Sequence, residues 1–195
     1  LAYGQLPEGA GCSSFVVAPD RSATGQLLLG QNWDLLTDNL PFVRLVHRRP
    51  ADALETWAVT LTGCLTLIGI NAAGIAAGNT NLVTRDVRPG VQYLTVLHRA
   101  LRAATLREAV ADIRGAPRAA AHYYYVAGPD GRAVGLECSA TQSVAFTVDH
   151  GTFVHCNHAL SPRLAALEAG PPGRSSVFRQ QRLSQLLAAH AAPLD

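Results

Sequence analysis

The pair Gly11-Cys12 carries a chemistry that few dipeptides offer. If the 11–12 peptide bond is cut, Cys12 gains a free α-amine beside its own thiol. An α-amine titrates at about 7.7–8.0 and a thiol near ~8.5. One residue then holds a nucleophile and a general base within reach of each other, near neutral pH. Gly11 suits a self-cleaving junction, because glycine tolerates strained backbone geometry cheaply. The plainer reading of the same residues is a small buried thiol at the start of a strand, a common setting for free cysteine. Gly30-Gln31-Asn32-Trp33-Asp34 ends what reads as the return strand of a hairpin. That return brings Asp34 back toward Cys12, where a carboxylate could orient an amine and bias its protonation. Equally, Asp34 could simply close a strand-end turn.

Two further groups bear on the same chemistry. The stretches Gly69-Ile70-Asn71-Ala72-Ala73-Gly74 and Gly78-Asn79-Thr80-Asn81 are rich in Gly and Asn. Such strand ends let a backbone approach a ligand closely, and an exposed N–H there could face an oxyanion; both residue types are also ordinary in turns. His155-Cys156-Asn157-His158 invites a zinc reading. In a strand, however, alternate residues face opposite sides, so His155 and Asn157 share one face and Cys156 and His158 the other. No other cluster offers the remaining ligands of a zinc site. A carboxamide at Asn157 acting as an oxyanion donor fits better, and no metal is expected. Arg44, Arg48 and Arg49 read as a solvated strand end, or else as a reader of a carboxylate or a coenzyme A phosphate.

The elements that must position these residues follow from periodicity. Residues 12–18 and 26–34 read as a hairpin through the turn at Pro19-Asp20. Further strands are expected at 42–49, 55–62, 65–71 and 74–81; the segment 55–61 alternates polar and apolar, the signal of a half-buried strand. The period then changes: 91–104 and 106–114 carry apolar residues at helical spacing. Thr105 with Glu108 is a capping-box signature. Strands resume at 122–127, 133–138, 143–148 and 152–157, and a last helix covers 175–190. The order points to α+β with antiparallel sheets, stacked in two layers with helices outside. Several strands are apolar on both faces, which argues for sheets covered on each side.

Composition excludes other classes. The 195 residues hold 48% apolar and only 15% charged side chains, against about 25% charged in an average chain. Net charge is +2; the basic residues, all Arg, are scattered, so no nucleic-acid stripe is visible. No run approaches the ~20 apolar residues of a membrane span. The four Cys are widely spaced with no CxxC pair, which speaks for reduced thiols rather than a disulfide scaffold. Cys64, Cys138 and Cys156 read as core. The chain holds no Met, so a fragment or a processed product is expected, and a cytoplasmic setting.

Taken in this order, the motifs resemble one family. Gly11-Cys12, Gly30-Gln31-Asn32-Trp33-Asp34, Asn71-Ala72-Ala73-Gly74, Gly135-Leu136-Glu137-Cys138-Ser139 and His155-Cys156-Asn157-His158 are similar to the acyl-coenzyme A:6-aminopenicillanic acid (isopenicillin N) acyltransferase family of N-terminal-nucleophile (Ntn) hydrolases. The likeness covers essentially the chain from Cys12 onward. More distant kinship with choloylglycine hydrolases and penicillin V acylases is implied. Those relatives usually carry Arg where this chain has Gln31, which leans toward the acyltransferase branch. The resemblance implies a four-layer αββα sandwich, incomplete at the C-terminus, because family members run on past this chain through a Ser/Cys-Arg element and final strands. It implies that residues 1–11 end a pro-segment and residues 12–195 form the Ntn domain. It implies self-cleavage at Gly11-Cys12 and attack by the Cys12 thiol on an amide or thioester carbonyl. Asp34 would hold the Cys12 amine or thiol. The Asn157 side chain and the Asn81 backbone N–H would form the oxyanion hole. Ser139 matches a serine associated with processing and activity. The expected partner is a small-molecule amide or acyl-thioester, without nucleic acid or membrane. No cofactor is expected, a coenzyme A thioester being a substrate. Small N-acyl compounds, amino-acid amides or β-lactam side chains fit better than penicillin synthesis. A non-catalytic binding module on the same scaffold is the alternative; a small metal-binding domain using Cys12, His155, Cys156 and His158 is a more remote one. Oligomeric state is left open.

Overall fold

The computed structural model describes residues 11–190 and 192–194. The expected pro-segment therefore lies outside the described residues, apart from Gly11. The first elements are β1 (Gly11–Val17), β2 (Leu28–Asp34), β3 (Val43–Arg48), β4 (Thr56–Leu61), β5 (Ile68–Asn71) and β6 (Ala76–Asn81). Helices α1 (Tyr93–Ala100) and α2 (Leu106–Gly115) follow. Then come β7 (His122–Ala127), β8 (Ala133–Cys138), β9 (Ser143–Val148), β10 (Thr152–His155), the short α3 (Pro162–Ala165) and α4 (Arg174–Ala189).

Two antiparallel sheets result. One has three strands in the order β10-β1-β2, the other seven in the order β3 through β9. The alternation of β7 shows how they stack. All six of its residues are buried, because both faces of the sheet are covered. Tyr124 and Val126 pack with Leu97, Leu101 and Ile113 of the α1–α2 layer. Tyr123 and Tyr125 face the other way and pack with Leu29 and Phe153 of the smaller sheet. Each such fully buried side chain contributes about 1.5–3 kcal/mol. Helix α4 lies against β1 and β10 on the far side of the small sheet, which completes an αββα sandwich. The small sheet covers only part of its neighbour: Leu45, Trp57, Val59 and Ile70, from β3–β5, keep substantial exposure.

The strands stand where periodicity places them, and α2 begins on the expected capping box between Thr105 and Glu108. The differences are local. The turn read at Pro19-Asp20 is a 3₁₀ turn over Pro19–Arg21; a second one at Thr37–Phe42, and α3, escape the sequence reading because they are too short for a period to develop. The strand expected over 152–157 stops at His155, since the next residues leave the ladder to bond with side chains of other layers. Cys138 and Cys156 are core, but Cys64, in the turn after β4, is only half-buried.

Asn71 shows what one of the Gly/Asn stretches does. Its Nδ2 donates to the Leu101 and Ala103 carbonyls, at 3.0 and 2.7 Å. Its Oδ1 accepts from the Ala73 and Ile75 N–H groups, both at 3.0 Å. The side chain thus satisfies two buried backbone groups of the β5–β6 turn and two at the end of α1. Leaving buried polar groups unpaired costs about 1–3 kcal/mol each. Asn71→Ala is therefore expected to lower stability by about 3 kcal/mol, read as a fall in the urea midpoint with an unchanged slope; a loss below half of that would show that the four groups re-pair without it.

Candidate functional site

The antiparallel register collects the chemistry at one end of the sandwich. Cys12 stands at the start of β1 and Asp34 at the end of β2, with Gly11 opposite Asp34 and Cys12 opposite Trp33. Asn157 follows the end of β10, and Asn81 ends β6 in the other sheet. A cavity of about 440 Å³ opens here, lined by Gly11, Cys12, Trp33, Asp34, Leu67 and Asn81 among others. Val59, Ile68, Tyr93 and His122 make much of the rest apolar, while Gln31 and Asn79 add polar groups.

Cys12, Asn81 and Asn157 are brought together. The Cys12 backbone N–H donates to Asn157 Oδ1 at 2.7 Å. Asn157 Nδ2 donates to the Asn81 carbonyl oxygen at 3.1 Å. The Asn81 backbone N–H and the Asn157 carboxamide both reach toward the Cys12 thiol. Burial pushes that thiol up to about 11, and the charge of Asp34 adds to the rise; the two asparagine hydrogen bonds and Arg179 pull against it. At neutral pH the thiol of the uncut chain is therefore almost wholly protonated. Asp34 is exposed, and among the described residues no hydrogen bond joins it to Cys12. It acts on the thiol through its charge.

Ser139 is placed elsewhere. Its hydroxyl donates to Asp86 Oδ2 at 2.6 Å and accepts from the Thr141 and Gln142 N–H groups. It closes the β8–β9 turn and does not line the cavity. Gln31, the departure noted in the sequence, does line it, and its Oε1 accepts from the Tyr125 hydroxyl at 2.7 Å. That hydroxyl occupies the space a Cβ would take at Gly78, so the glycine admits this contact. Burial raises the Tyr125 pKa and keeps the group a donor. His122 is lowered to about 3 by burial and is neutral at pH 7.

Two features escape the sequence reading. Arg179, from α4, donates through Nη2 to Asn157 Oδ1 at 2.9 Å and through Nη1 to the Cys12 carbonyl oxygen at 2.5 Å. It also reaches Ser13 Oγ at 2.7 Å. A Cβ at Gly11 would lie 2.7 Å from Arg179 Nη2, so a larger residue there would have to displace the guanidinium. Only the i, i+4 spacing of Ser175 and Arg179 along the helix hints at order there, through an Nε–Oγ hydrogen bond of 3.2 Å. The second feature is a fully buried carboxylate, Glu137. It accepts from His155 Nε2 at 2.9 Å, from the Leu160 and Ser161 N–H groups, and from Ser161 Oγ. His155 stacks on Tyr123, and its Nδ1 faces Thr80 Oγ1 and the Cys156 carbonyl oxygen. His158 Nδ1 and the Asn157 N–H both bond Ser176 Oγ. Among the described residues no group of three or more His, Cys, Asp or Glu side chains is placed to hold a metal ion. Arg44 and Arg48 are spent on the backbone carbonyls of Pro41, Val43 and Leu65. Among the described residues no helix is long and apolar enough to cross a membrane.

Comparison with known proteins adds the following. A family model described as acyl-coenzyme A:6-aminopenicillanic acid acyl-transferase matches residues 21–194. The match begins past Cys12. The 40 kDa form of acyl-coenzyme A:6-aminopenicillanic-acid-acyltransferase from Emericella nidulans is 30% identical over 194 residues, which are 96% of this chain and 52% of the relative. The chain thus spans about half the length of that relative. Among solved structures, the C2A mutant of conjugated bile acid hydrolase from Clostridium perfringens aligns with a TM-score of 0.56 at 10% identity, covering 94% of this chain and 75% of that one. Penicillin V acylase from Agrobacterium tumefaciens gives 0.47 at 15% identity, over 71% and 50% of the two chains. The bile acid hydrolase likeness shows the fold, the four-layer sandwich of the Ntn hydrolases.

Two outcomes are expected of the site as it stands. In the uncut chain, alkylation of Cys12 by iodoacetamide, resolved from the other thiols by peptide mass spectrometry, should climb about tenfold per pH unit and level off near pH 11; a plateau near ~8.5 would mean the thiol is not desolvated. For Glu137, burial raises the carboxyl, but the bonds from His155, Ser161 and Leu160 outweigh it and hold the pKa below the ordinary range. A depressed pKa contributes stability that is present above the unfolded value of about 4.3 and lost as pH falls through the folded one. Glu137→Gln should cost about 3–5 kcal/mol at pH 7, and its gap from wild type should narrow toward pH 3. A gap independent of pH would remove the charge from the account.

Proposed function

The chain belongs to the acyl-coenzyme A:6-aminopenicillanic acid acyl-transferase family, and on that premise we propose that it is the nucleophile-bearing part of a self-processing cysteine amidohydrolase or acyltransferase acting on linear amides or acyl thioesters. The observation that carries this reading is the hydrogen-bonded chain from Cys12 N–H to Asn157 Oδ1 at 2.7 Å and from Asn157 Nδ2 to the Asn81 carbonyl at 3.1 Å, on the wall of a largely apolar cavity that Cys12 lines.

Maturation comes first. The Cys12 thiol attacks the Gly11 carbonyl, the 11–12 amide breaks, and the segment ending at Gly11 is left as a thioester on Sγ. The thiol proton passes to the departing nitrogen, so the α-amine of Cys12 is already free in that thioester. Water then hydrolyses the thioester, releasing the segment as a carboxylic acid and restoring the thiol. The attack on Gly11 is intramolecular, on a carbonyl bonded to the same residue; toward a separate substrate a thiol with a pKa near 11 is a poor nucleophile at pH 7 until a base stands beside it. In turnover the amine takes the thiol proton as Sγ attacks the substrate carbonyl. Negative charge then develops on the carbonyl oxygen, where two donors already in place cost no reorganisation. Asn81 N–H and Asn157 Nδ2 are those donors. The proton passes to the departing amine, leaving an acyl thioester on Cys12, and water or an acceptor amine takes the acyl group. Asp34, across from Gly11, supplies a negative charge beside the new amine. Ser139, tied to Asp86, can serve processing only through the turn it closes. The apolar walls at Trp33, Leu67 and Ile68 suit an apolar acyl group.

The test is intact-mass spectrometry and acyl transfer in the full-length protein beside Cys12→Ala. Wild type should give two fragments, the second beginning at Cys12, and the variant a single uncut chain with no acyl transfer. A variant that is cleaved and active like wild type would end the proposal. Asn157→Ala, which removes one oxyanion donor, should lower kcat about 10²–10³-fold.

A further inference from the structure

Asn157 is asked to do two things at once. Its oxygen must face the nitrogen of Cys12, and its nitrogen must face the place where an oxyanion forms. A carboxamide is nearly symmetric in shape, so packing alone does not choose between its two orientations; hydrogen bonds do. Here the choice is made by two donors on Oδ1, together with the Asn81 carbonyl oxygen, which accepts from Nδ2 at 3.1 Å. Asn157 Oδ1 accepts from the Cys12 N–H at 2.7 Å and from Arg179 Nη2 at 2.9 Å. A flipped amide would set an NH₂ group against both and lose both bonds. The Arg179 bond is the charge-assisted one and the stronger.

The second donor matters more after cleavage. The Cys12 nitrogen then ceases to be an amide with one fixed N–H and becomes an amine that can donate or accept. Arg179 is left as the group whose donor character never changes. Its guanidinium also lies close to that nitrogen: it bonds the carbonyl oxygen of the same residue and sits where a Cβ of Gly11 would be. A fixed positive charge there opposes protonation of the amine, and Asp34 favours it. The other titratable groups facing the site, His122, Tyr125 and Cys156, are kept uncharged at pH 7 by burial, and Tyr93 adds a phenol on the cavity wall.

We propose that Arg179 is a positioning residue: its fork holds Asn157 Oδ1 toward the Cys12 nitrogen, so that Nδ2 faces the thiol, and its charge holds the Cys12 nitrogen in the neutral form that accepts a proton. The inference rests on Cys12 being the nucleophile. It separates two properties, fork and charge, that different substitutions remove. Arg179→Met removes both, whereas Arg179→Lys keeps a charge without the planar fork.

The experiment compares both variants with wild type in the full-length protein, after thermal melts show that each is folded. The first readout is the burst of p-nitrophenolate from p-nitrophenyl hexanoate, followed from pH 5 to 10. Arg179→Met should slow the burst about 10–100-fold, with its pH midpoint moved upward and KM little changed. Arg179→Lys should return the midpoint to that of wild type yet remain slow. A midpoint shared by Arg179→Met and wild type, or equal losses in both variants with no shift, would overturn the proposal and leave Arg179 a structural tie. The second readout is the pH profile of Cys12 alkylation by iodoacetamide, which needs no turnover. It should move upward in Arg179→Met and not in Arg179→Lys, and coincident profiles overturn the proposal. Absence of a burst in wild type would tell against Cys12 as nucleophile, and the alkylation profile would then decide the Arg179 inference by itself.

Discussion

One carboxamide holds three layers together. Asn157 accepts from the backbone of β1, donates to the end of β6 in the other sheet, and is gripped by a side chain of α4. Besides that tie, among the described residues only the Asn81 N–H reaching toward the thiol links Cys12 to Asn81 across the gap between the sheets. The constraint is strict because every polar atom of the amide is committed, and a buried polar group without a partner is expensive. The reactive end of the sandwich is therefore fixed in place by the hydrogen-bonding needs of a single residue.

That residue is in turn placed from behind. Asn157 lies outside the β10 ladder, so no strand register sets its position. It is bracketed by His155, which is locked to Glu137 and stacked on Tyr123, and by His158, which shares Ser176 of α4 with the Asn157 N–H. A buried carboxylate receiving four hydrogen bonds is a costly element unless every bond is made. Its presence behind the site is consistent with a demand for a unique arrangement rather than for added stability. The cavity in front is soft by comparison, with apolar walls and few committed polar groups.

The state of the Cys12 thiol bears on the proposed link between processing and chemistry. A thiol packed into the start of a strand is desolvated, so its pKa rises and its reactivity falls. The same burial makes the environment favourable once a base is supplied, because dipoles aimed at a developing charge act more strongly where water is excluded. Under the proposed reaction, burial lowers the reactivity of the thiol while the 11–12 bond is intact, and the base would come from the backbone once that bond is cut.

Much of this was legible along the chain. Hydrophobic period placed the strands and helices, since long elements repeat their pattern often enough to be recognised; the order of motifs around Gly11-Cys12, Asp34, Asn81 and Asn157 pointed to the family. What periodicity missed was short, as at Pro19–Arg21, Thr37–Phe42 and Pro162–Ala165. Alternation was expected to separate His155 from His158, but the strand ends at His155, and only folding paired His155 with Glu137 and His158 with Ser176. Asn71 read as a turn residue that could open a ligand site; in space it satisfies backbone groups from two elements. Arg179 carried no signal beyond its i, i+4 spacing from Ser175 among sixteen scattered arginines. Its meaning depends on which helix face meets β1, a matter of packing between segments 167 residues apart. Residue types and spacing determine which groups can react and which elements carry them. Only the tertiary structure decides which atoms meet, because side-chain hydrogen bonds between distant segments follow no period in the sequence.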